Sequence, residues 1–147
     1  MRGFEKAKGF EHLDIPLPER KTEHSAGYDI SIIDDIMIPA GAVAFGKTGL
    51  KAFMQDGEVL KIYPRSSLAK NYHLTLGNNV GIVDKDYYNN PDNDGHIMIS
   101  LRNFGQNDIM LRKGERVAQA IFEQYLTSPF ETEVKDRRQG GFGSTGK

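Results

Sequence analysis

The sequence contains no cysteine and no tryptophan, it has no long apolar run, and its formal net charge at pH 7 is only −1. Without cysteine, the chain can have neither a disulfide framework nor a thiolate metal site. The small net charge argues against general binding of nucleic acid or of a membrane surface, so a bound polyanion must be met locally by arginines, backbone amides or a metal ion. The polar first residues carry no signal peptide or membrane span, and we expect a cytoplasmic protein.

At 147 residues the chain fits one domain with a sizeable core. Short apolar runs, separated by glycine, proline and aspartate, recur about every 8–12 residues, which predicts an all-β sandwich or barrel rather than βαβ units. The predicted strands are 26–33, 36–38, 42–45, 50–53, 59–63, 96–103, 109–111 and 116–126. Residues 1–25 are expected to form an extended lead-in. The single predicted helix is 64–72, with Ser66 or Ser67 able to cap its start.

Two of the predicted strands carry patterns that also predict burial. In 96–103, Ile97, Ile99 and Leu101 alternate onto one face. In 116–126 apolar residues occupy both faces, which indicates a strand covered on both sides.

The stretch 77–95 reads GNNVGIVDKDYYNNPDNDG and holds one carboxylate, Asp84, between an apolar pair and a turn. This order predicts a β-hairpin that lifts Asp84 out of the core into a site. The alternative is that Asp84 only caps a turn, because aspartate and asparagine form turns by their own chemistry.

Three patterns suggest other chemistry but lack its context. Residues 41–48, GAVAFGKT, match the P-loop pattern, yet the loop positions favour a strand and no helix pattern follows, so a strand and turn are predicted. Residues 90–95, NPDNDG, resemble an EF-hand loop, but Leu101 stands where the bidentate glutamate belongs, and a hairpin turn is predicted instead. The four histidines have no metal-ligand spacing and are expected to be surface or ordinary core residues.

Five segments together point to one activity. AGYDI carries Asp29, PRSSLAK carries Arg65 and Ser66, GIVDKDY carries Asp84, GERVAQ carries Gln119, and the tail ends in GGFGSTGK. In this order and at these intervals they closely resemble the five motifs of the homotrimeric dUTPases, over nearly the whole chain.

The resemblance implies a distorted jelly-roll-like β subunit with one short helix, and a homotrimer with active sites at its subunit interfaces. The implied reaction is hydrolysis of dUTP to dUMP and pyrophosphate by attack of water on the α-phosphorus, which keeps uracil out of DNA and supplies dUMP for thymidylate synthesis. Asp84 would be the general base. Mg²⁺ would be held through the substrate phosphates and water, with no direct protein ligand.

The resemblance also implies roles for the binding residues. Ser66 and Gln119 would hold the α- and β-phosphates, and Arg65 would brace that end with Asp29 as its ionic partner. Tyr87 would pack under the deoxyribose and leave no room for a 2′-hydroxyl. The full set implied at the substrate is Arg65, Ser66, Ser67, Asn78, Gly81, Val83, Tyr87, Gln119, Arg137, Arg138, Phe142, Gly143, Ser144 and Thr145.

The tail is expected to act as a lid. We divide the chain into a β domain, 1–127, and a flexible C-terminal arm, 128–147, that closes over the site once substrate binds. Phe142 would stack on the uracil, and Ser144, Thr145 and an arginine would reach the γ-phosphate. Whether that arginine is Arg137 or Arg138 stays open.

The family usually has a glycine near position 89, where this chain has Asn89 followed by a longer turn. Asparagine tolerates left-handed backbone, so we expect the turn to form with a different tip. Two alternatives to the hydrolase remain at this point. One is a dCTP deaminase of the same fold, and the other is a dUTP-sensing module with a regulatory protein partner.

Overall fold

The computed structural model describes residues 1–133, and within them the chain forms eleven strands, one α-helix and one short 3-10 helix. The elements are β1 Gly3–Lys6, β2 Tyr28–Ser31, β3 Ile36–Ile38, β4 Val43–Lys47, β5 Leu50–Phe53, β6 Glu58–Pro64, α1 Ser66–Tyr72, β7 Leu74–Leu76, β8 Gly81–Asp84, the 3-10 helix Lys85–Tyr87, β9 Met98–Asn103, β10 Ile109–Leu111 and β11 Arg116–Gln124. None of the described helices is long and apolar enough to cross a membrane. The predicted all-β class with one short α-helix is confirmed.

Antiparallel pairing joins the strands into four small sheets. The larger two have the orders β2-β11-β6-β8 and β4-β9-β7, and the smaller two pair β1 with β5 and β3 with β10. Their inner faces share one core of aliphatic side chains, and Ile30, Leu60 and Leu101 are fully buried there. Each such side chain contributes about 1.5–3 kcal/mol on burial. The core therefore fixes β6, β8 and β11, the strands that position the candidate site.

The two burial predictions fare differently. Ile97, Ile99 and Leu101 are all buried, so the alternating face of β9 is confirmed. In β11 both Val117 and Ala118 are fully buried, although neighbours in a regular strand face opposite ways. The pairing register with β2 shifts between Arg116 and Ala118, so a bulge turns Val117 inward. Both side chains therefore join the same core, and Ile121 on the other face is only half-buried, so the two-sided cover predicted for this strand is not found among residues 1–133.

The extended lead-in is only partly correct, because Gly3–Lys6 forms β1 and pairs with β5. Phe4 anchors this strand, with its ring centroid 5.6 Å from that of Tyr28 and 5.4 Å from that of Phe122. The segment GFEK has a single large apolar side chain and no β-branched residue, so its sequence gives little sign of a strand.

The predicted β-hairpin over 77–95 is wrong. β8 pairs with β6, whereas the following strand β9 pairs with β4 and β7 in the other large sheet. The turn 88–95 therefore carries the chain from one sheet to the other, and the apolar pair Ile82-Val83 lies on a strand with a distant partner. Asparagine and aspartate do form a turn here, as predicted, but not one between paired strands.

The P-loop-like segment 41–48 behaves as expected. Residues 43–47 of the P-loop-like segment form strand β4, and Thr48 is buried with its hydroxyl donating to the carbonyl of Ile97 at 2.6 Å. The hydroxyl that a P-loop would present to a metal ion is thus used inside the core. The prediction of a strand and turn is confirmed.

His96 is the buried member of the four histidines, and the other three are exposed. Its Nε2 accepts the backbone N–H of Gly49 at 2.9 Å, and its ring stacks on Phe10 at 4.5 Å. Burial, assisted by the positive charge of Lys47, lowers the pKa of His96 from 6.5 to about 4. His96 is therefore a neutral core residue near pH 7.

We expect acid to destabilise the fold through His96. Between about pH 6.5 and 4 the unfolded chain binds a proton that the folded chain does not, so stability is lost as the pH falls through that window. His96→Gln keeps an acceptor for Gly49 without a titrating group. Urea unfolding at equal protein concentration should show the wild-type advantage over His96→Gln shrinking by about 2 kcal/mol between pH 7 and pH 5. A difference independent of pH would contradict the assignment.

Candidate active site

The predicted site residues fall into two groups on the described chain. The first, called the helix-start cluster, consists of Asp29, Arg65, Ser66, Ser67 and Gln119. The second, called the β8 cluster, consists of Asn78, Gly81, Val83, Asp84 and Tyr87.

In the helix-start cluster, β11 holds the beginning of the helix in place. The backbone N–H of Arg65 donates to the carbonyl of Val117 at 3.1 Å. At the other end of the helix, the hydroxyl of Tyr72 donates to Glu115 Oε2 at 2.9 Å, and this hydrogen bond raises the pKa of Tyr72. The segments PRSSLAK and GERVAQ are therefore held together by these contacts.

Neither serine caps the helix, and that prediction is wrong. Arg65 occupies the N-cap in extended conformation without a side-chain hydrogen bond to the helix, and Ser66 and Ser67 are the first two helical residues. Within residues 1–133 neither serine hydroxyl has a hydrogen-bond partner. Ser66 is exposed, so its hydroxyl is available to a ligand.

Gln119 projects from the middle of the four-stranded sheet, opposite Asp29 on one side and Tyr63 on the other. Its Nε2 donates to the carbonyl of Pro64 at 3.4 Å. A Cβ at Gly27 would lie 2.6 Å from Gln119 Oε1, so this amide can take its position only beside a glycine. Gly27 belongs to AGYDI, but it was not among the predicted site residues, because nothing in the sequence shows that it faces Gln119.

Asp29 does not pair with Arg65, which corrects the expected ionic link. Its Oδ2 lies 3.1 Å from Arg116 Nη1 and 3.9 Å from Lys21 Nζ. Asp29 and Arg116 both reach from the ends of neighbouring strands, so the carboxylate ties AGYDI to GERVAQ. The guanidinium of Arg65 is left for another partner.

In the β8 cluster the side chains of strand β8 alternate between the inner and the outer face of the sheet. Gly81 and Val83 face inward and are buried, whereas Ile82 and Asp84 face outward and are exposed. β8 lies at the edge of its sheet, with β6 as its strand partner among residues 1–133. Its outer edge can therefore offer backbone groups to a ligand, next to the exposed Asn78.

Tyr87 ends the 3-10 helix that follows Asp84 and is only 8% exposed. Its hydroxyl lies 2.6 Å from the carbonyl oxygen of His96 and 2.9 Å from Asn93 Nδ2. The ring is thus held at its far end by Asn93 and His96, and little of the residue is exposed.

The turn itself has the conformation expected from its asparagines. Asn89 takes φ +58°, in the left-handed region, as predicted for the position where the family usually has glycine. Its far side is fastened to the body of the protein by Lys51, whose Nζ lies 2.8 Å from Asp94 Oδ2 and 4.8 Å from the ring centre of Tyr88. Burial is the largest single effect and disfavours the charged ammonium, but the hydrogen bond to Asp94 and the nearby charges of Asp94 and Glu5 together outweigh it, and the pKa of Lys51 is raised.

The two clusters do not meet within one chain. Gln119 pairs with Tyr63 near one end of β6, while Asp84 pairs with Val59 near the other end. Four residues of strand separate these positions by about 13 Å. Both side chains lie on the same outer face of the sheet, and Ile82, 56% exposed, lies between their rows.

Some predictions fall outside the described residues, namely those for Arg137, Arg138, Phe142, Gly143, Ser144 and Thr145. Among residues 1–133, no three histidine, aspartate or glutamate side chains are grouped to hold a metal ion.

Comparison with known proteins gives consistent matches. A sequence profile described as dUTPase matches residues 14–146. The deoxyuridine 5'-triphosphate nucleotidohydrolase of Lactococcus lactis is 48% identical, with 99% of this chain and 98% of the relative covered. The crystal structure of dUTPase from Streptococcus mutans has a TM-score of 0.78 and 42% identity, covering 86% of this chain and 98% of that one. A mutant dUTPase from phage phi11 of S. aureus, which coordinates a structural Mg(II) ion, shares the fold at 18% identity with a TM-score of 0.72.

Proposed function

Because the chain belongs to the dUTPase family, we propose that it hydrolyses dUTP to dUMP and pyrophosphate at sites shared between the protomers of a homotrimer. The family supports the substrate and the reaction. The separation of the helix-start cluster from the β8 cluster supports the shared site.

That separation is the observation on which the proposal depends. A nucleotide cannot touch Asp84 and Gln119 of the same chain in one compact pose, since about 13 Å of strand lies between their positions. A second copy, laid against the outer face, can bring its own helix-start cluster to the first copy's Asp84. Exposed Ile82 and half-buried Ile121 give this face apolar surface that a partner would cover.

The chemistry proposed at the shared site follows from the side chains. Asp84, exposed at the end of β8, orients and deprotonates the water that attacks the α-phosphorus. The hydroxyl of Ser66, the amide of Gln119 and the guanidinium of Arg65 bind the phosphate oxygens of the neighbouring protomer's substrate. Mg²⁺ enters with the nucleotide as part of the substrate, bound to its phosphates.

Recognition of the nucleoside is assigned to the β8 cluster. The backbone at the open edge of β8 and the amide of Asn78 read the uracil edge, where a wrong base would leave polar groups unpaired. Tyr87 forms the wall beside the deoxyribose. The closing arm 128–147, the cytoplasmic location and a regulatory protein partner stay predictions.

The test is the release of pyrophosphate from dUTP with Mg²⁺, measured beside dCTP, dTTP and UTP, together with ammonia release from dCTP. The proposal expects pyrophosphate from dUTP and no ammonia. Ammonia from dCTP without pyrophosphate from dUTP would make the chain a deaminase of the same fold. Binding of dUTP without product would leave a sensing module.

A further inference from the structure

We propose that Asn93 is a positioning residue that holds the ring of Tyr87 and thereby sets the discrimination between deoxyribose and ribose. This rests on the proposed placement of Tyr87 beside the sugar. Asn93 lies outside the five motif segments, in the turn where the chain departs from the usual family pattern.

The hydrogen bonds at the Tyr87 hydroxyl fix the direction of each donor. A phenol has one proton, and the carbonyl of His96, 2.6 Å away, can only accept it. The hydroxyl oxygen must therefore accept from Asn93 Nδ2 at 2.9 Å. Asn93 is the group that supplies the second hydrogen bond to the end of the ring.

The orientation of the Asn93 amide is set by its other contacts. Its Oδ1 accepts from Asn90 Nδ2 at 2.7 Å and from the backbone N–H of Gly95 at 3.2 Å. Asn90 is itself buried, and its Nδ2 also donates to the carbonyl of Tyr87 at 3.0 Å. The amide cannot flip without breaking both contacts of Oδ1, so Nδ2 stays directed at the phenol.

A wall rejects an extra hydroxyl group only if it cannot move away. Asn90 holds the backbone carbonyl of Tyr87, and Asn93 and His96 hold the hydroxyl at the far end of its ring. Loss of the Asn93 bond leaves the far end with the single hydrogen bond to the carbonyl of His96, and the ring can then give way to a 2′-hydroxyl. Holding the ring from both ends is the support that a selective site needs.

Asn93→Asp is the sharpest change, because it keeps the size and the Oδ1 acceptor but replaces the Nδ2 donor with an oxygen that faces the phenol oxygen. Tyr87→Phe removes this bond from the other side without adding charge, and it also removes the hydrogen bond to the carbonyl of His96. Each is expected to raise kcat/KM for UTP relative to dUTP about tenfold, and for Asn93→Asp the kcat for dUTP should change less than about threefold. Asp92→Asn, the reverse change at the exposed neighbouring residue, is expected to leave the ratio unchanged.

The double variant separates positioning from general weakening of the turn. If Asn93 acts through Tyr87, then Asn93→Asp should change the UTP to dUTP ratio less than about twofold once Tyr87 is phenylalanine. An unchanged ratio in both single variants, with only a lower melting temperature, would make Asn93 a structural turn residue and overturn the inference. A wild type inactive on dUTP would remove the proposed function as well, so the two failures are distinguishable.

Discussion

Replacing Asp84 with asparagine is expected to lower kcat for dUTP hydrolysis by about 10²–10⁴-fold, the usual contribution of a general base. Asparagine keeps the shape at the exposed end of β8 and can still orient a water molecule, but it cannot take its proton. Because the substitution leaves the nucleotide contacts in place, the affinity for dUTP should change little. Pyrophosphate release and calorimetric binding of dUTP measure the two quantities separately.

The matched control is Asp92→Asn, which makes the same change of charge at an exposed position in the nearby turn. It is expected to keep activity within about threefold of the wild type. Retention of more than a tenth of the activity by Asp84→Asn would mean that another group takes the proton, and the assignment of Asp84 would then be wrong.

Discrimination between uracil and other nucleobases is expected to give the largest difference in kcat/KM. A site that reads the uracil edge by hydrogen bonds should favour dUTP over dCTP by about 10⁴–10⁵ in kcat/KM. Cytosine would leave backbone groups at the edge of β8 without hydrogen-bond partners. Rejection of dTTP needs a tight steric wall, since a single methyl group gives only about 10–200-fold.

Gly81→Ala tests whether the backbone at the edge of β8 recognises the uracil base. A Cβ at this position would lie 3.2 Å from the Cβ of Ile62 and 3.6 Å from Asn78 Nδ2, so β8 and its turn must shift by a few tenths of an ångström. The variant should lose about tenfold in kcat/KM for dUTP and much less for dCTP. A displaced strand edge weakens the hydrogen bonds to uracil, whereas cytosine makes few of these hydrogen bonds in the wild type. Equal losses on both nucleotides would place base reading elsewhere.

Strands could be predicted from the sequence where a local apolar pattern is enough to form them. The strands with which they pair could not be predicted. The alternation of Ile97, Ile99 and Leu101 predicts β9 because period two requires a buried face. The apolar pair Ile82-Val83 followed by a turn predicts a hairpin over 77–95, but the pairing of β8 with β6 rather than β9 is set by the packing of the whole core. β1 was not predicted, because it is stabilised by the contacts of Phe4 with Tyr28 and Phe122, which are distant in the sequence.

The candidate site divides in the same way. The residue types of the five segments predict which side chains carry the chemistry, but not which of them meet. Asp29 pairs with Arg116 rather than Arg65, since the two lie on neighbouring strands and Arg116 reaches Asp29 diagonally across them. Asn93 could not be identified from sequence, because asparagine in a turn has an ordinary explanation and only the contact with Tyr87 gives it another.

The shared site is tested most directly by mixing two inactive chains. One chain carries Asp84→Asn, and the other carries Ser66→Ala with Gln119→Ala, so each lacks a different cluster. If each site takes the β8 cluster from one protomer and the helix-start cluster from its neighbour, then random assembly of equal amounts leaves about a quarter of the sites intact. Co-refolded mixtures should therefore recover about a quarter of the wild-type rate of pyrophosphate release. Mixtures that stay at the background of the separate variants would show that each chain works alone, contrary to the account.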